Sequence, residues 1–331
     1  KIFSSMKRII EEKLKDNLKI KEIFERIFEI YEYDLKLNDH RARELFPNLV
    51  EQKITIVKDK ILEKETVFNI SRAKRPIPQE KEEISDEYDP FCNGDSKTIK
   101  DEIGFLENNS AKIVANISKM APYHSLLYFK KHDFDDLNEN DFVLAIDLAS
   151  KWFEEIKNKF QTKTEILIWN FHYRAAASIL HPHFQLLAYY HNLNLIESLK
   201  NKFEKYKSNY QSDYLEDYFY LMKFLGLGKE FGNFKIWLNL TPRKEKEINF
   251  YGILNERNSR ILWQTIFLLT KSGTETFNLF YIFENDLFKN LGFFVDRGPK
   301  NKKISDFGTL EVFSHSVVSY NPFEFAKIIF Q

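Results

Sequence analysis

The chain has a single cysteine, Cys92, among 331 residues. No disulfide framework can form within it, so nothing in cysteine usage implies an oxidising compartment. It also lacks net charge, with 49 Lys+Arg against 49 Asp+Glu. That balance gives no electrostatic argument for nucleic acid or for an anionic membrane as partner. No apolar run approaches the ~18 residues of a membrane-spanning helix. The residues that open the sequence are charged and helix-like rather than those of a signal peptide. The expected location is therefore the cytoplasm.

What is present is a globular composition, 43% hydrophobic and 16% aromatic, in a chain long enough for one large domain or two smaller ones. Residues 1–46 read as a helical extension, because Ile9, Ile10, Leu14, Leu18, Ile23, Ile27, Phe28 and Tyr31 recur at roughly helical spacing among mixed charges. Residues 50–109 are weakly periodic, and "RPIPQEKEEISDEYDPFCNGDS" reads largely as loop. Strand signals follow at 111–118, 124–131, 165–171 and 178–190, with an amphipathic helix at 141–160. Residues 194–226 read as a helical bridge. Beyond it, 234–240, 277–283, 291–298 and 308–319 read as strands, with a helix at 258–271. The order strand, helix, strand, strand thus occurs twice, which points to internal duplication and an α+β class with antiparallel sheet and helices on one side.

One stretch stands apart. "HPHFQ" (181–185) sets His181, His183 and Gln185 at every second position of an apolar segment. On a strand these three share a face, while Pro182, Phe184 and Leu186 point the other way into the core. Two imidazoles on one face can bind a metal, or one can act as nucleophile or base; they can also be satisfied polar residues of an ordinary strand. Gln185 offers a neutral donor and acceptor. Pro182 donates no ladder hydrogen bond, which suggests an edge or irregular position. Upstream, "SRAKRP" (71–76) places Arg72 and Arg75 in a loop, where guanidinium forks suit phosphate. "DPFCNGD" (89–95) places Asp89 and Cys92 three apart, a half-site spacing for zinc. Asn170 and Ser178 precede the histidines, separated by the small residues Ala175 to Ala177.

Together, RAKRP, PFC-x-G, an Asn eleven residues before the first His, a small-residue run, a Ser and then HPHxQ resemble the galactose-1-phosphate uridylyltransferase family. This is the transferase branch of the histidine triad superfamily, which also holds dinucleoside-polyphosphate and nucleotide-sugar phosphorylases. The resemblance covers roughly residues 70–190, is general over 191–331 and is absent over 1–46. It implies two histidine-triad-like repeats, an N-terminal catalytic one over 47–193 and a second, with the helical bridge, over 194–331.

The resemblance also implies site roles. His183 would attack the α-phosphorus of a nucleotide donor and form a nucleotidyl-histidine. Gln185 would hold the phosphoryl oxygens. Asn170, Ser178, Arg72 and Arg75 would contact phosphate, and Asn116 the nucleotide. Many relatives carry a structural zinc on CxxC, a later His and the first His of HPH; here the matching set is Asp89, Cys92, His132 and His181, with a carboxylate in place of the first thiolate. The implied function is transfer of a nucleoside monophosphate from a nucleotide-sugar to a sugar-1-phosphate, in carbohydrate metabolism. A phosphorylase of a dinucleoside polyphosphate or ADP-sugar, using inorganic phosphate, is the alternative; a nonenzymatic nucleotide- or partner-binding protein is another. A homodimer is compatible with the resemblance. The C-terminal HxHxxP segment of the galactose-type enzymes is missing, and "GTLEVF" (308–313) only loosely matches their sugar-contacting strand, through Glu311. His124, His172, His191 and His315 have no implied role and read as surface or satisfied core positions.

Overall fold

A computed structural model describes residues 5–36, 50–71, 89–92, 98–101, 103–104, 106–116, 118–283, 290–301 and 315–330. The described residues form helices α1 (Met6–Leu14), α2 (Leu18–Ile27), α3 (Glu139–Phe160), α4 (Asn194–Tyr210), α5 (Tyr214–Leu225), α6 (Glu256–Lys271) and α7 (Pro322–Ile329). Their strands are β1 (Phe28–Lys36), β2 (Glu51–Asp59), β3 (Lys64–Phe68), β4 (Leu106–Glu107), β5 (Ala111–Ala115), β6 (Tyr123–Phe129), β7 (Thr164–Phe171), β8 (His183–Tyr189), β9 (Gly228–Phe231), β10 (Phe234–Leu238), β11 (Ile248–Tyr251), β12 (Phe277–Ile282), β13 (Leu291–Asp296) and β14 (His315–Val318). The class is α+β, as the alternation of periods in the sequence predicts.

Contacts divide the chain into two units, each assembled from separate stretches. They are a different kind of division from the sequence repeats. The first unit holds residues 1–80, 201–248 and 303–331. Its sheet runs β1-β2-β3-β14, with β14 parallel to β3. The helical reading of 1–46 holds for α1 and α2 but not for residues 28–36. There Tyr31, Tyr33 and Leu35 alternate with Ile30, Glu32 and Asp34, a two-residue period rich in β-formers that pairs with β2 along its whole length. Strands β2 and β3 are likewise present within the segment of weak periodicity.

The second unit holds residues 81–200 and 249–302. Its strands are ordered β4-β5-β6-β8-β7-β12-β13-β11. The sequence β6-α3-β7-β8 is mirrored by β11-α6-β12-β13 about the antiparallel β7–β12 pair, in which Trp169 faces Leu279. Beneath this sheet lies an aromatic core. Phe184 and Trp169 are fully buried, with ring centroids 5.0 Å apart, and Phe129 lies 5.2 Å from Phe184. Phe142 of α3 and Trp263 of α6 close the layer at 5.4 Å from each other. The inward pull on Phe184 is what turns its neighbours His183 and Gln185 to the opposite face of β8. Burying such a ring contributes roughly 2–3 kcal/mol, so a one-residue slip of register is strongly disfavoured.

Candidate functional site

Strand β8 lies between β6 and β7 in the sheet. Pro182 is therefore not on an edge strand; it sits one residue before the strand begins. Its missing N–H is no loss there, and its carbonyl still accepts from Phe129 N–H at 3.1 Å. His181 also precedes the strand, so HPHFQ divides in function of position. His183 and Gln185 lie on the ladder, and His181 lies in the approach to it.

His181 is 3% exposed. Its Nε2 donates to the Phe129 carbonyl at 2.6 Å, which turns Nδ1 the other way. Nδ1 stands 3.0 Å from Asp89 Oδ2 and 3.6 Å from Cys92 Sγ. His132, on the turn after β6, brings its Nδ1 to 3.0 Å from Asp89 Oδ2 and 3.2 Å from Cys92 Sγ. All four ligand atoms lie within 4.8 Å of one another. Donors about 2.0–2.3 Å from one tetrahedral ion stand about 3.3–3.8 Å apart, and the separations here scatter about that range, so the set can hold one metal ion. The carbonyl-anchored His181 has the supporting contact that metal-binding imidazoles commonly carry.

The 89–92 segment is held in two ways. Asp89 Oδ1 accepts from Phe91 N–H at 2.8 Å and from Cys92 N–H at 3.3 Å. The Phe91 ring stacks on Tyr128 at 4.5 Å and lies 5.4 Å from His181 and 5.6 Å from His183. Burial pushes the Asp89 carboxyl upward, but the hydrogen bonds from Cys92, His181 and Phe91 N–H bring it down to about 2. Burial, and then the Asp89 carboxylate, push the Cys92 thiol up to about 11. The anion in this cluster is thus the carboxylate, and a cation would be needed to draw out the thiolate.

His183 is buried, and its Nδ1 donates to the His181 carbonyl at 2.8 Å. Among the described residues its Nε2 has no hydrogen-bond partner. Burial holds the ring below the usual imidazole range, although the bond to the carbonyl works the other way. A neutral imidazole with one nitrogen pinned and the other carrying a lone pair is an arrangement suited to nucleophilic attack.

Gln185 is half-buried and its Oε1 lies 3.0 Å from His124 Nε2. Asn116 is there too, with Nδ2 3.1 Å from the same nitrogen. Asn170, on β7, has its Oδ1 taken by Asn278 Nδ2 at 2.8 Å. Asn278 also donates to the Ala175 carbonyl at 2.8 Å and accepts from Arg297. Arg174 Nε donates to the Arg297 carbonyl at 2.5 Å. Ser178 is exposed on the loop before His181. Arg72, Arg75 and Glu311 lie outside the described residues. Sequence reasoning missed His124, Asn278, Arg174, Arg297 and Phe91. His124 was expected to be a satisfied or surface histidine; it is fully buried and satisfied, and it also touches Gln185.

No family model matches the chain, and no curated protein sequence matches it. Solved structures do. An ADP-glucose phosphorylase from Arabidopsis thaliana, with bound ADP-glucose, is 13% identical, covering 83% of this chain and 97% of that one with a TM-score of 0.64. A galactose-1-phosphate-uridylyltransferase-like protein from the same plant gives 13% identity, the same coverages and 0.61. A uridylyltransferase gives 11% identity, 83% and 96% coverage and 0.58. At such identities the likeness establishes the fold. Among the described residues no helix is long and apolar enough to cross a membrane.

Proposed function

We propose that this chain is a nucleotidyl-transferring enzyme that works through a covalent nucleotidyl-His183. The observation that carries the reading is the state of His183: buried, its Nδ1 bonded to the His181 carbonyl, its Nε2 unpartnered among the described residues. In the first step Nε2 attacks the α-phosphorus of a nucleotide-sugar. The N–P bond forms, the bridging P–O bond breaks and the sugar-1-phosphate leaves with the electron pair. In the second step a phosphate oxygen of the acceptor attacks the same phosphorus. The N–P bond breaks and the neutral imidazole is restored. Gln185 donates to the non-bridging oxygens as charge builds on them. Asn116, Asn170, Ser178, Arg72 and Arg75 are assigned to nucleotide and phosphate binding.

Asp89, Cys92, His132 and His181 are assigned to a zinc ion. When bound, zinc cross-links the 89–92 segment to β6 and to the entry of β8, a structural role. The acceptor is read two ways. A sugar-1-phosphate makes the enzyme a hexose-1-phosphate uridylyltransferase-like protein. Inorganic phosphate makes it a phosphorylase; the missing HxHxxP segment and the likeness to a protein that binds ADP-glucose favour this second reading. A nonenzymatic nucleotide-binding protein would have no need of an aligned His183.

The test is intact-protein mass spectrometry after incubation with UDP-sugars, ADP-sugars and dinucleoside polyphosphates. One donor should add a nucleoside monophosphate to the native chain and nothing to the His183→Asn chain. The preformed adduct is then offered inorganic phosphate and several sugar-1-phosphates in competition, and the fastest discharge names the acceptor. Turnover by His183→Asn at a near-native rate would remove the covalent mechanism.

A further inference from the structure

His124 sits on β6 opposite Leu187, diagonal to Gln185 on β8, and is fully buried. Its Nδ1 lies 3.0 Å from the backbone nitrogen of Met120. A backbone amide has only a proton to offer, so Nδ1 must present a lone pair. The neutral ring then carries its proton on Nε2. That nitrogen is 3.0 Å from Gln185 Oε1, and the hydrogen bond runs from Nε2–H to the amide oxygen. A reversed Gln185 amide would set N–H against N–H. The amide nitrogen of Asn116 is 3.1 Å from the same Nε2, while Asn116 Oδ1 accepts from Ser118 N–H at 2.8 Å. A nitrogen already bearing a proton takes no second donor, so His124 orients Gln185 rather than Asn116. Burial holds the ring below the usual imidazole range, which keeps it neutral in this role.

We propose that His124 is a positioning residue: the Met120 N–H fixes its tautomer, its Nε2–H captures Gln185 Oε1, and the Gln185 NH2 is thereby committed as the donor to the phosphoryl group. This use of the donor rests on the nucleotidyl-His183 reading; the tautomer and the captured oxygen do not. A free glutamine amide presents oxygen or nitrogen with little preference, and an oxygen turned to an anionic phosphoryl group would repel it. His124 removes that alternative.

Two measurements on the full chain test the proposal. The first is a pair of 15N-histidine spectra, in which the His124 ring is assigned by its loss in His124→Gln. The Nε2-protonated neutral tautomer is expected at neutral pH; an Nδ1-protonated or charged ring overturns the proposal. The second is the rate of nucleotidyl-enzyme formation in His124→Gln, His124→Asn, Gln185→Ala and the double variant His124→Asn/Gln185→Ala. A glutamine at 124 places an amide donor where Nε2 was, and an asparagine falls short of it. His124→Asn and Gln185→Ala should each slow the step roughly 10- to 100-fold, the double variant should be no slower than Gln185→Ala, and His124→Gln should recover most of the rate. Additive losses, or equal rates for the Gln and Asn variants, overturn the proposal. A native chain that takes up no nucleotide from any donor overturns the functional reading instead, and the ring spectrum then decides the hydrogen-bond arrangement by itself.

Discussion

His172 begins the short turn that carries the chain from β7 toward Ser178 and His181. Its backbone has φ 77° and ψ 159°. That region is open to glycine and closed to side chains by the contact of Cβ with the backbone, and a non-glycine residue there costs about 1–3 kcal/mol. Ala176, at the other end of the turn, is also left-handed with φ 69°. The His172 ring lies 5.7 Å from Tyr173. Comparing His172→Gly with His172→Ala isolates the backbone, since both variants discard the ring and only one keeps Cβ. Glycine releases the ~1–3 kcal/mol of strain but brings about 0.5–1 kcal/mol of extra unfolded-state entropy. The expected advantage of Gly over Ala is about 1 kcal/mol, or roughly 2–4 °C in Tm for a domain of this size. Thermal and urea unfolding of the two variants under identical conditions reads it directly. Glycine no more stable than alanine would mean that the turn does not hold His172 in this conformation.

Two further outcomes are expected. Zinc should bind at one ion per chain and raise Tm, by linkage about 2.7 kcal/mol at free metal 100-fold above Kd; metal analysis should find the ion absent from Cys92→Ala and His132→Ala, and equal metal content in all three chains would refute the site. Burial alone would raise the Asp141 carboxyl, but Lys131 Nζ at 2.6 Å, Asn138 N–H and the Ser110 hydroxyl bring it below its ordinary value. A lowered folded-state value gives stability that is present above the unfolded value and lost as pH falls through the folded one; Asp141→Asn should therefore be less stable by ~1 kcal/mol near neutrality, with the gap closing as pH falls through and below the ordinary carboxylate range, and a gap independent of pH would show that the carboxylate charge is not what matters.

The elements legible in the sequence were those whose pattern is local. The helix ending at Phe160, the apolar strands β7, β12 and β13, and the alternation of His183, Phe184 and Gln185 all follow from periods of 3.6 or 2 read over a few residues. The cluster of Asp89, Cys92, His132 and His181 was legible only through the resemblance, because spacing gave no more than the Asp89–Cys92 half. What was not legible depends on contacts between distant residues. Asn278 meets Asn170 across 108 positions and Arg297 meets Arg174 across 123; a lone Asn or Arg in a strand carries no mark of its partner. The tautomer of His124 depends on a backbone N–H, which has no residue type at all. The unusual backbone at His172 was hidden because the residue there is not glycine.

The two repeats differ most at the strand that carries HPHFQ. Across β7 and β8, Ile168 faces Gln185; across β12 and β13, Asn278 faces Val295. Ile168 and Asn278 are each half-buried between buried neighbours, and the residues that follow them, Trp169 and Leu279, pair with each other. With these taken as equivalent, Gln185 matches Val295, His183 matches Phe293 and His181 matches Leu291. HPHFQ is thus answered by LGFFV. Each polar group is answered by an apolar one, so the second strand has no side chain of the kind proposed here as nucleophile or metal ligand. Gly292 stands where Pro182 stands in the first repeat, and a Cβ on it would meet the Phe250 ring at 2.1 Å. Phe250 is itself fully buried and lies 5.8 Å from Tyr281 in a stacked pair. The space that in the first repeat is shaped by a proline before β8 is here filled by an aromatic ring. A packed ring of that kind stabilises the sheet through buried area. The second repeat therefore contributes packing at the position where the first places His183.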